Sequence, residues 1–330
     1  MSTPVMTKPA TDNAVKGGPT VGARVTSFMP VIALLALVLA LTIADPGFFT
    51  QRSLTAVVNT AAPLAVLATG ATIVVLCGGI DLSIAALASL SSVFLALWLP
   101  SLGGLTTVSV IAVAAALGAL QGALHVFLRI PSFIVTLGGM SVFAAVALVV
   151  SHAVTVPVVD DAPIHWANLY LAGRVPVAVV VAVVVVAVLA LVIKVTPLDS
   201  YIKATGFSES AARLAGVPVD LVKIGAFCVS GACAGLAAVI LVARNYSGSP
   251  TVADSLLLPA VAAIVVGGTA ITGGHGSLWR TLAGALVVTL LRVGLSTVGV
   301  SSAYEQILYG AIIIAAVALT LDRSKISIIK

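Results

Sequence analysis

One carboxylate lies between two long apolar runs of the sequence, in Gly78-Gly79-Ile80-Asp81-Leu82-Ser83. A charge at the centre of a membrane-spanning helix costs about 2.5–3.5 kcal/mol. The cost falls at a helix start, because Asp81 or Ser83 can accept hydrogen bonds from backbone N–H groups that lack a helical partner. Gly78 and Gly79 let the chain break and let helices approach closely. The segment is therefore either a structural cap at a turn inside the membrane or a break that lines a substrate path.

A second glycine-rich turn, Gly273-Gly274-His275-Gly276-Ser277, lies far along the chain. The residues that precede it, 262–269, weakly repeat residues 71–75 and the glycines after them. Internal repeats are common in transporters, but this similarity is too short to establish one. No second His, Cys or carboxylate lies close to His275 in the sequence, so we interpret it as a turn residue and not as a ligand or proton carrier.

Other chemistry is sparse. Arg292 and Glu305 lie near or inside the last two apolar runs, where they pair, contact substrate or extend to the membrane surface. The sequence contains no G-x-x-x-x-G-K-[ST], no H-E-x-x-H, no G-x-S-x-G and no Cys/His metal spacing. We therefore predict no catalytic residue, no metal site and no cofactor in this chain. Ionisable relays for a coupled ion are also few, so energy for active transport has to come from another subunit.

The composition places these residues in a membrane protein. Of the 330 residues, 60% are hydrophobic and 8% are charged, whereas soluble domains carry about 25% charged residues. This excludes an ordinary cytosolic enzyme and an intrinsically disordered chain. The net charge of +5 is not gathered into a basic stripe, so no nucleic-acid partner is predicted. The three cysteines form no metal or disulfide pattern and are interpreted as apolar packing residues.

The apolar runs predict an all-α, polytopic membrane protein with about ten transmembrane helices. The turns at Gly78-Gly79 and Gly273-Gly274 mark broken or re-entrant segments. A valine-rich run, 177–188, favours strand by propensity, but in lipid its backbone must be satisfied internally and we predict a helix. The predicted spans are 28–44, 55–77, 82–99, 105–125, 132–151, 175–194, 223–243, 256–272, 281–298 and 304–321.

Charge gives the orientation. With the N-terminus inside, 12 of the 16 Lys and Arg residues fall on the cytoplasmic side and 3 outside, which predicts both termini in the cytoplasm. Residues 1–27 are predicted to be a disordered cytoplasmic tail, 28–322 the transmembrane domain and 323–330 a second cytoplasmic tail.

Two polar segments exceed a tight turn: 152–174, predicted outside, and 195–222, predicted in the cytoplasm. The second contains a short predicted helix over 208–215, which Ser208 caps and which Gly216 ends. A short helix outside the lipid needs a surface on which to pack, and a protein partner is the natural candidate.

Four segments in order resemble the ribose-type permeases of ATP-binding cassette importers, within the branched-chain amino acid/ribose permease superfamily. They are Gly78–Ser83, Ile130–Met140, Ala204–Val217 and Ala263–Gly274. The resemblance covers residues 45 to 320. The chain departs from the family pattern at Ile84-Ala85, where Val-Gly is usual, and at Phe207, which replaces a frequent glycine.

The resemblance implies a multi-pass subunit of the bacterial inner membrane that pairs with a second copy or a sister permease. A cytoplasmic subunit would bind ATP, and a periplasmic binding protein would deliver a monosaccharide of the pentose or hexose class. The implied residues of the signature break are Gly78, Gly79, Asp81 and Ser83. Those of the ATPase-coupling segment are Gly206, Glu209, Ala212, Arg213 and Gly216, with Glu209 and Arg213 as the polar contacts. Candidates for the translocation path are Asn59, Thr136 and Thr269.

The sequence leaves two alternatives open. A branched-chain amino-acid permease of a related importer would need paired opposite charges at mid-membrane to recognise a zwitterion. A secondary carrier would work without any ATPase.

Overall fold

The computed structural model describes residues 51–297 and 303–320, together with 34–35, 37–39, 41–43, 48, 50, 299 and 301. The α-helices of residues 51–320 are α1 Gln51–Leu76, α2 Ile84–Leu102, α3 Leu105–Phe127, α4 Ser132–Val150, α5 Val177–Val195, α6 Leu198–Phe207, α7 Glu209–Leu214, α8 Val219–Asn245, α9 Leu257–Val266, α10 Leu278–Thr297 and α11 Ala303–Thr320. Short 3-10 turns lie at His165–Asn168 and Asp254–Leu256. Helical residues also occur between 34 and 43.

Within the described residues, seven helices are long and apolar enough to cross a membrane: α1, α2, α3, α4, α5, α8 and α10. The structure confirms an all-helical multi-pass protein, while the count of ten spans stays a prediction. The predicted span 256–272 is wrong as a continuous helix, because α9 has only 10 residues and ends before the turn at Gly267. The predicted tails 1–27 and 323–330, and most of the predicted span 28–44, lie outside the described residues.

Helices α1 and α8 form the centre of the protein. Most residues of both are buried, whereas only 17% of the most apolar stretch of α4 and of α5 is buried, as expected of helices in contact with lipid. Small residues bring α3 and α8 together, with Gly118 against Gly231. A Cβ atom on Gly118 would overlap the carbonyl oxygen of Phe227. Close backbone approach of this kind is typical of helix pairs in membranes.

The two polar segments have more structure than the sequence predicts. Strand β1 (Val156–Pro157) pairs antiparallel with β4 (Ser247–Gly248), and β2 (Tyr170–Leu171) pairs with β3 (Val175–Pro176). The second polar segment contains α6 in addition to the expected short helix α7. Helix α5 begins beside these strands and ends at α6. We call the side of the protein where α5 begins the hairpin end, and the side where α5 ends the α7 end.

Candidate functional site

The segment between α1 and α2 is a true helix break. Helix α1 ends at Leu76, and Gly78 adopts a left-handed φ of +79°, which glycine allows without steric cost. The amide of Gly79 donates to the carbonyl of Val74 at 3.0 Å, and the amide of Gly78 donates to Val75 at 2.9 Å. These bonds satisfy carbonyl groups that a helix end otherwise leaves without partners.

Asp81 is buried in this break, with 7% of its surface exposed. Its Oδ1 accepts hydrogen bonds from the Ser83 amide at 2.9 Å and from the Ser83 hydroxyl at 2.7 Å. Its Oδ2 accepts from the hydroxyl of Ser230 on α8 at 2.7 Å. The carboxylate therefore accepts a hydrogen bond from the backbone amide just before α2, which fits the structural one of the two alternatives left open by the sequence, and also binds Ser230 on α8. The sequence gives no sign of Ser230, because the contact joins residues 149 positions apart.

Two neighbouring helices complete the polar contacts of the break. The Ser83 hydroxyl lies 2.9 Å from Oε1 of Gln121 on α3, and its single proton is shared between that oxygen and Asp81. On α4, the Ser132 hydroxyl accepts from the Ile80 amide at 3.0 Å. Thr136 accepts from the Leu82 amide at 3.2 Å. Side chains inside the protein thus satisfy the amides of Ile80, Leu82 and Ser83 in this irregular backbone, as low-dielectric surroundings require.

Residues 267–277, from the end of α9 through the second glycine-rich turn, form the second break. Its glycine-rich turn packs directly on the first break, between α1 and α2. The Gly274 amide donates to the carbonyl of Leu76 at 2.9 Å. A Cβ atom on Gly273 would lie 2.8 Å from Cα of Gly78. Gly206, the penultimate residue of α6, inserts between them, and a Cβ atom there would overlap both the Leu76 carbonyl oxygen and the Gly274 nitrogen. Backbone from three distant segments therefore meets at one point, which only glycines permit. We call this meeting of Leu76, Gly78, Gly206, Gly273 and Gly274 the glycine contact.

The implied coupling residues divide into two groups. Gly206, Ala212 and Gly216 are structural: Gly206 lies in the glycine contact, Ala212 is buried, and Gly216 ends α7 with a φ of +80°. Glu209 and Arg213 are about half exposed. The predicted cap is confirmed, since the Ser208 hydroxyl accepts from the Ala211 amide at 3.3 Å.

Glu209 and Arg213 belong to an ion cluster within the chain. Glu209 pairs with Arg213 at 2.9 Å and with Lys223 at 2.5 Å, and Arg213 also pairs with Asp220. Partial burial acts to raise the pKa of Glu209, but hydrogen bonds from Lys223 and Arg213 outweigh it and hold that pKa below its usual value. The stability from these pairs is present above the ordinary Glu pKa and is lost only as pH falls through the lowered value. The hydrogen bonds that Arg213 donates to Asp220 and Glu209 raise the pKa of its guanidinium. A cavity of about 660 Å³ lies beside the cluster, lined also by His125, Arg129 and Pro131.

Leu214, in the last turn of α7, is a candidate that sequence reasoning missed. It exposes 92% of its surface at the α7 end. An apolar residue on a two-turn helix is a weak signal in sequence, and its exposure is visible only in the folded chain.

The path candidates occupy three different places. Asn59 lines a cavity of about 590 Å³ at the hairpin end, together with Arg52, Tyr170 and Arg174. Thr136 is fully buried in the first break and donates to the carbonyl of Ile80 at 3.2 Å. Thr269 is buried after α9, where its hydroxyl has no hydrogen-bond partner among the described residues. The structure does not bring the three together within one chain.

Arg292 and Glu305 pair with each other at 3.0 Å. Arg292 is five residues before the end of α10, and Glu305 is in the first turn of α11. The pair therefore lies toward the helix ends and away from the middle of either helix. Across the described residues, no group of three His, Cys, Asp or Glu side chains is placed to hold a metal ion.

Known proteins with the same sequence pattern now decide the family. The family model described as "Branched-chain amino acid transport system / permease component" matches residues 53–317. The chain belongs to this permease family. No solved structure matches it.

Three curated relatives show where this permease lies within the family. It is 35% identical to the ribose import permease RbsC of Escherichia coli K12 over 87% of its own length and 91% of that relative. It is also 35% identical to the probable ABC transporter permease YphD of the same organism, over 87% of its length and 86% of that relative. The fructose import permease FrcC of Rhizobium meliloti is 32% identical over 88% and 84% of the two chains.

Proposed function

We propose that this permease is the membrane subunit of an ATP-binding cassette importer that takes up a monosaccharide. Relatives named as ribose and fructose import permeases, which it matches over most of its length, support the sugar class. A relative named as a probable ABC transporter permease supports the ATPase partner. In this proposal the chain lies in the bacterial inner membrane with both termini inside, pairs with a second copy or a sister permease, and receives the sugar from a periplasmic binding protein.

The contact at Gly206 carries the proposal. Helices α6 and α7 form one unit that reaches both helix breaks through Gly206 and presents Leu214 outward at the other end. A partner that moves Leu214 would therefore move backbone that touches Leu76, Gly78 and Gly274. A partner that prefers one position of α7 shifts the population of the permease toward the corresponding state of its breaks. The chain then needs no nucleotide site of its own.

The docking surface for the ATPase in this proposal consists of Leu214, Glu209 and Arg213 with the cavity beside them. Leu214 supplies an apolar centre, and the half-exposed charges supply a polar rim, which is the usual anatomy of a protein interface. The intramolecular pairs to Lys223 and Asp220 hold α7 against the start of α8. Docking force on α7 therefore also reaches α8, which binds Asp81 through Ser230.

The hairpin end is the proposed docking face for the binding protein. Strands β1 and β4 join the two segments, 152–174 and 244–255, at which we expect that protein to dock. Arg52 and Arg174, two of the three basic residues expected outside, line one cavity there with Asn59. We propose that sugar enters past Asn59.

Copurification tests the ATPase contact. We expect L214D to lower recovery of a co-expressed ATPase subunit by at least about ten-fold, since an interface anchor contributes about 2 kcal/mol or more. The matched control is V159D, because Val159 is 93% exposed at the hairpin end. Equal recovery with both variants would overturn the assigned surface.

The charge-reversal pair E209K with R213E is a second test of the same surface. It keeps one ion pair but breaks those to Lys223 and Asp220, so both folding and ATPase recovery must be measured. A folded protein with an undiminished complex and normal uptake would remove Glu209 and Arg213 from the interface.

Transport itself is tested in proteoliposomes that hold this permease with its ATPase and binding protein. We expect ATP-dependent uptake of a labelled pentose or hexose, with binding calorimetry of the binding protein against a sugar panel naming which one. Uptake of a branched-chain amino acid and no sugar would assign the alternative substrate class. Gradient-driven uptake by the permease alone would overturn the importer mechanism.

A further inference from the structure

A cavity of about 660 Å³ lies at the α7 end between α5, α6 and α10. It is separate from the ion cluster of Glu209 and adjoins the glycine contact, since Leu76 belongs to both. Its volume is in the range of sites for small molecules, about 300–1,000 Å³. One part of its wall is polar and one part is apolar, and the two parts point to a ligand with both characters.

The polar part carries an uncompensated positive charge. Lys194, in the last turn of α5, has no hydrogen bond or ion pair with any described residue. Lys203 lines the same cavity but pairs with Asp199 at 2.7 Å, so those two charges cancel. One cationic group is thus left to meet an anion.

The apolar part continues along α5 into the membrane. Ala187, Ala190 and Leu191 line it from one side and Leu76 from the other. Helix α5 has the highest mean hydropathy of the candidate spans, 3.2, and only 17% of its most apolar stretch is buried. In a membrane protein such an exposed apolar surface is in contact with lipid chains.

Trp279 completes the wall and is half exposed at the start of α10. Tryptophan is enriched where membrane meets water, because its ring is apolar and its N–H is polar. Together with Lys194 it places the mouth of the cavity at the membrane surface.

We propose that this cavity binds an anionic phospholipid, with the headgroup phosphate at Lys194 and an acyl chain against Ala190 and Leu191. Basic pockets between membrane helices recognise anionic headgroups in this way. A free phosphate would leave the apolar wall without a partner, and a zwitterionic lipid, whose phosphate is balanced by its own cation, would leave the site with a net positive charge. The proposal needs only that α5 ends at a membrane surface, so it stands apart from the identity of the transported solute.

Native mass spectrometry of the full-length chain, taken from nanodiscs of mixed phosphatidylglycerol and phosphatidylcholine, tests the proposal. We expect the wild type to retain phosphatidylglycerol in preference to phosphatidylcholine. K194Q should lower that preference about five-fold, the factor that corresponds to about 1 kcal/mol for one basic residue near the surface. K194R should keep it.

A second variant tests the apolar wall without changing any charge. A190W fills the acyl-chain part and should reduce retention of both lipids, whereas V188W, on an exposed part of α5 outside the cavity, should not. Equal lipid ratios in wild type and K194Q would overturn the proposal. Displacement of the lipid by excess inorganic phosphate would assign the site to a free anion, and cross-linking of position 190 to a second copy would assign the cavity to a subunit interface.

Discussion

The two helix breaks end their helices in the same way. After α1, Gly78 donates to Val75 at 2.9 Å and adopts a φ of +79°. After α9, Gly268 donates to Val265 at 2.8 Å and adopts a φ of +73°. The next amide in each break donates to the carbonyl one position earlier in the helix: Gly79 donates to Val74, and Thr269 donates to Ile264. The weak sequence similarity between the two segments therefore corresponds to one shared helix-end geometry.

The residues beyond the two helix ends differ in their chemistry. The first break has a buried carboxylate, Asp81, that binds α2 and α8. The second has no carboxylate, and its exposed His275 meets the ring of Phe207 edge to face at 4.4 Å. Both breaks contact the coupling segment at Gly206, but we infer that side chains anchor the first break among membrane helices, whereas the second adds the ring contact of His275 to that segment. The same helix-end geometry therefore occurs in a break that side chains anchor to other membrane helices and in a break that adds a ring contact to α6.

Among the variants that test this difference between the breaks, loss of the Asp81 carboxylate should have the largest effect on stability and uptake. Asp81→Leu leaves the Ser83 amide and the Ser230 hydroxyl buried without an acceptor, at about 1–3 kcal/mol for each group. We expect a large loss of thermal stability in detergent and loss of uptake.

The control for that variant is Asp81→Asn, which keeps one acceptor oxygen at nearly the same position. If the carboxylate acts as a cap, Asn should retain most of the stability and part of the uptake. Equal loss of uptake in both variants at normal protein levels would show that the charge itself is needed.

The contact between the coupling segment and both breaks should be the next most sensitive. Gly206→Ala introduces a Cβ that overlaps the Leu76 carbonyl oxygen and the Gly274 nitrogen, and overpacking of this kind costs about 1–3 kcal/mol. We expect ATP hydrolysis to continue while uptake falls, because α6 is pushed away from the breaks. The matched control is Gly225→Ala, since a Cβ there has no neighbour within 4 Å. Coupled uptake unchanged by Gly206→Ala would remove Gly206 from the transmission route.

The sequence predicts the parts of this architecture that local patterns determine. Apolar runs predict the long helices, Ser208 and Gly216 predict the ends of α7, and Asp81 between two runs predicts a cap. It misses the contacts that require the folded chain. Ser230 is an ordinary residue in sequence and becomes a functional candidate only because folding brings it to the break. Gly206 is expected in the coupling segment, but its contact with the break is visible only in the folded chain.

The predicted span 256–272 shows the other limit. Its composition is mainly apolar, but hydropathy does not register that Gly268 turns the chain and that α9 ends after 10 residues. Composition predicts burial in lipid, whereas backbone geometry decides whether a helix continues. The strands of the hairpin end are missed for a related reason, because two-residue strands have no periodicity to detect.

Alanine at each left-handed glycine tests whether the two helix ends are equivalent. Gly78→Ala and Gly268→Ala both force a residue with a Cβ into a left-handed conformation, at about 1–2 kcal/mol. Because neither new Cβ would be closer than 3.7 Å to a neighbour, we expect similar decreases in melting temperature for the two variants. A several-fold difference would contradict the shared geometry.

The smallest expected effect separates the two breaks most clearly. An edge-to-face ring pair contributes about 0.5–1.5 kcal/mol beyond simple burial, so Phe207→Ala should lower stability only modestly. In a double-mutant cycle, Phe207→Ala with His275→Ala should show a coupling energy, because the two rings are in contact. The cycle of Phe207→Ala with Asp81→Asn should be additive, since Asp81 is held by α2 and α8 and not by α6. Coupling to Asp81 as strong as that to His275 would mean that the coupling segment is tied to both breaks alike, and the division between an anchored and a connecting break would fail.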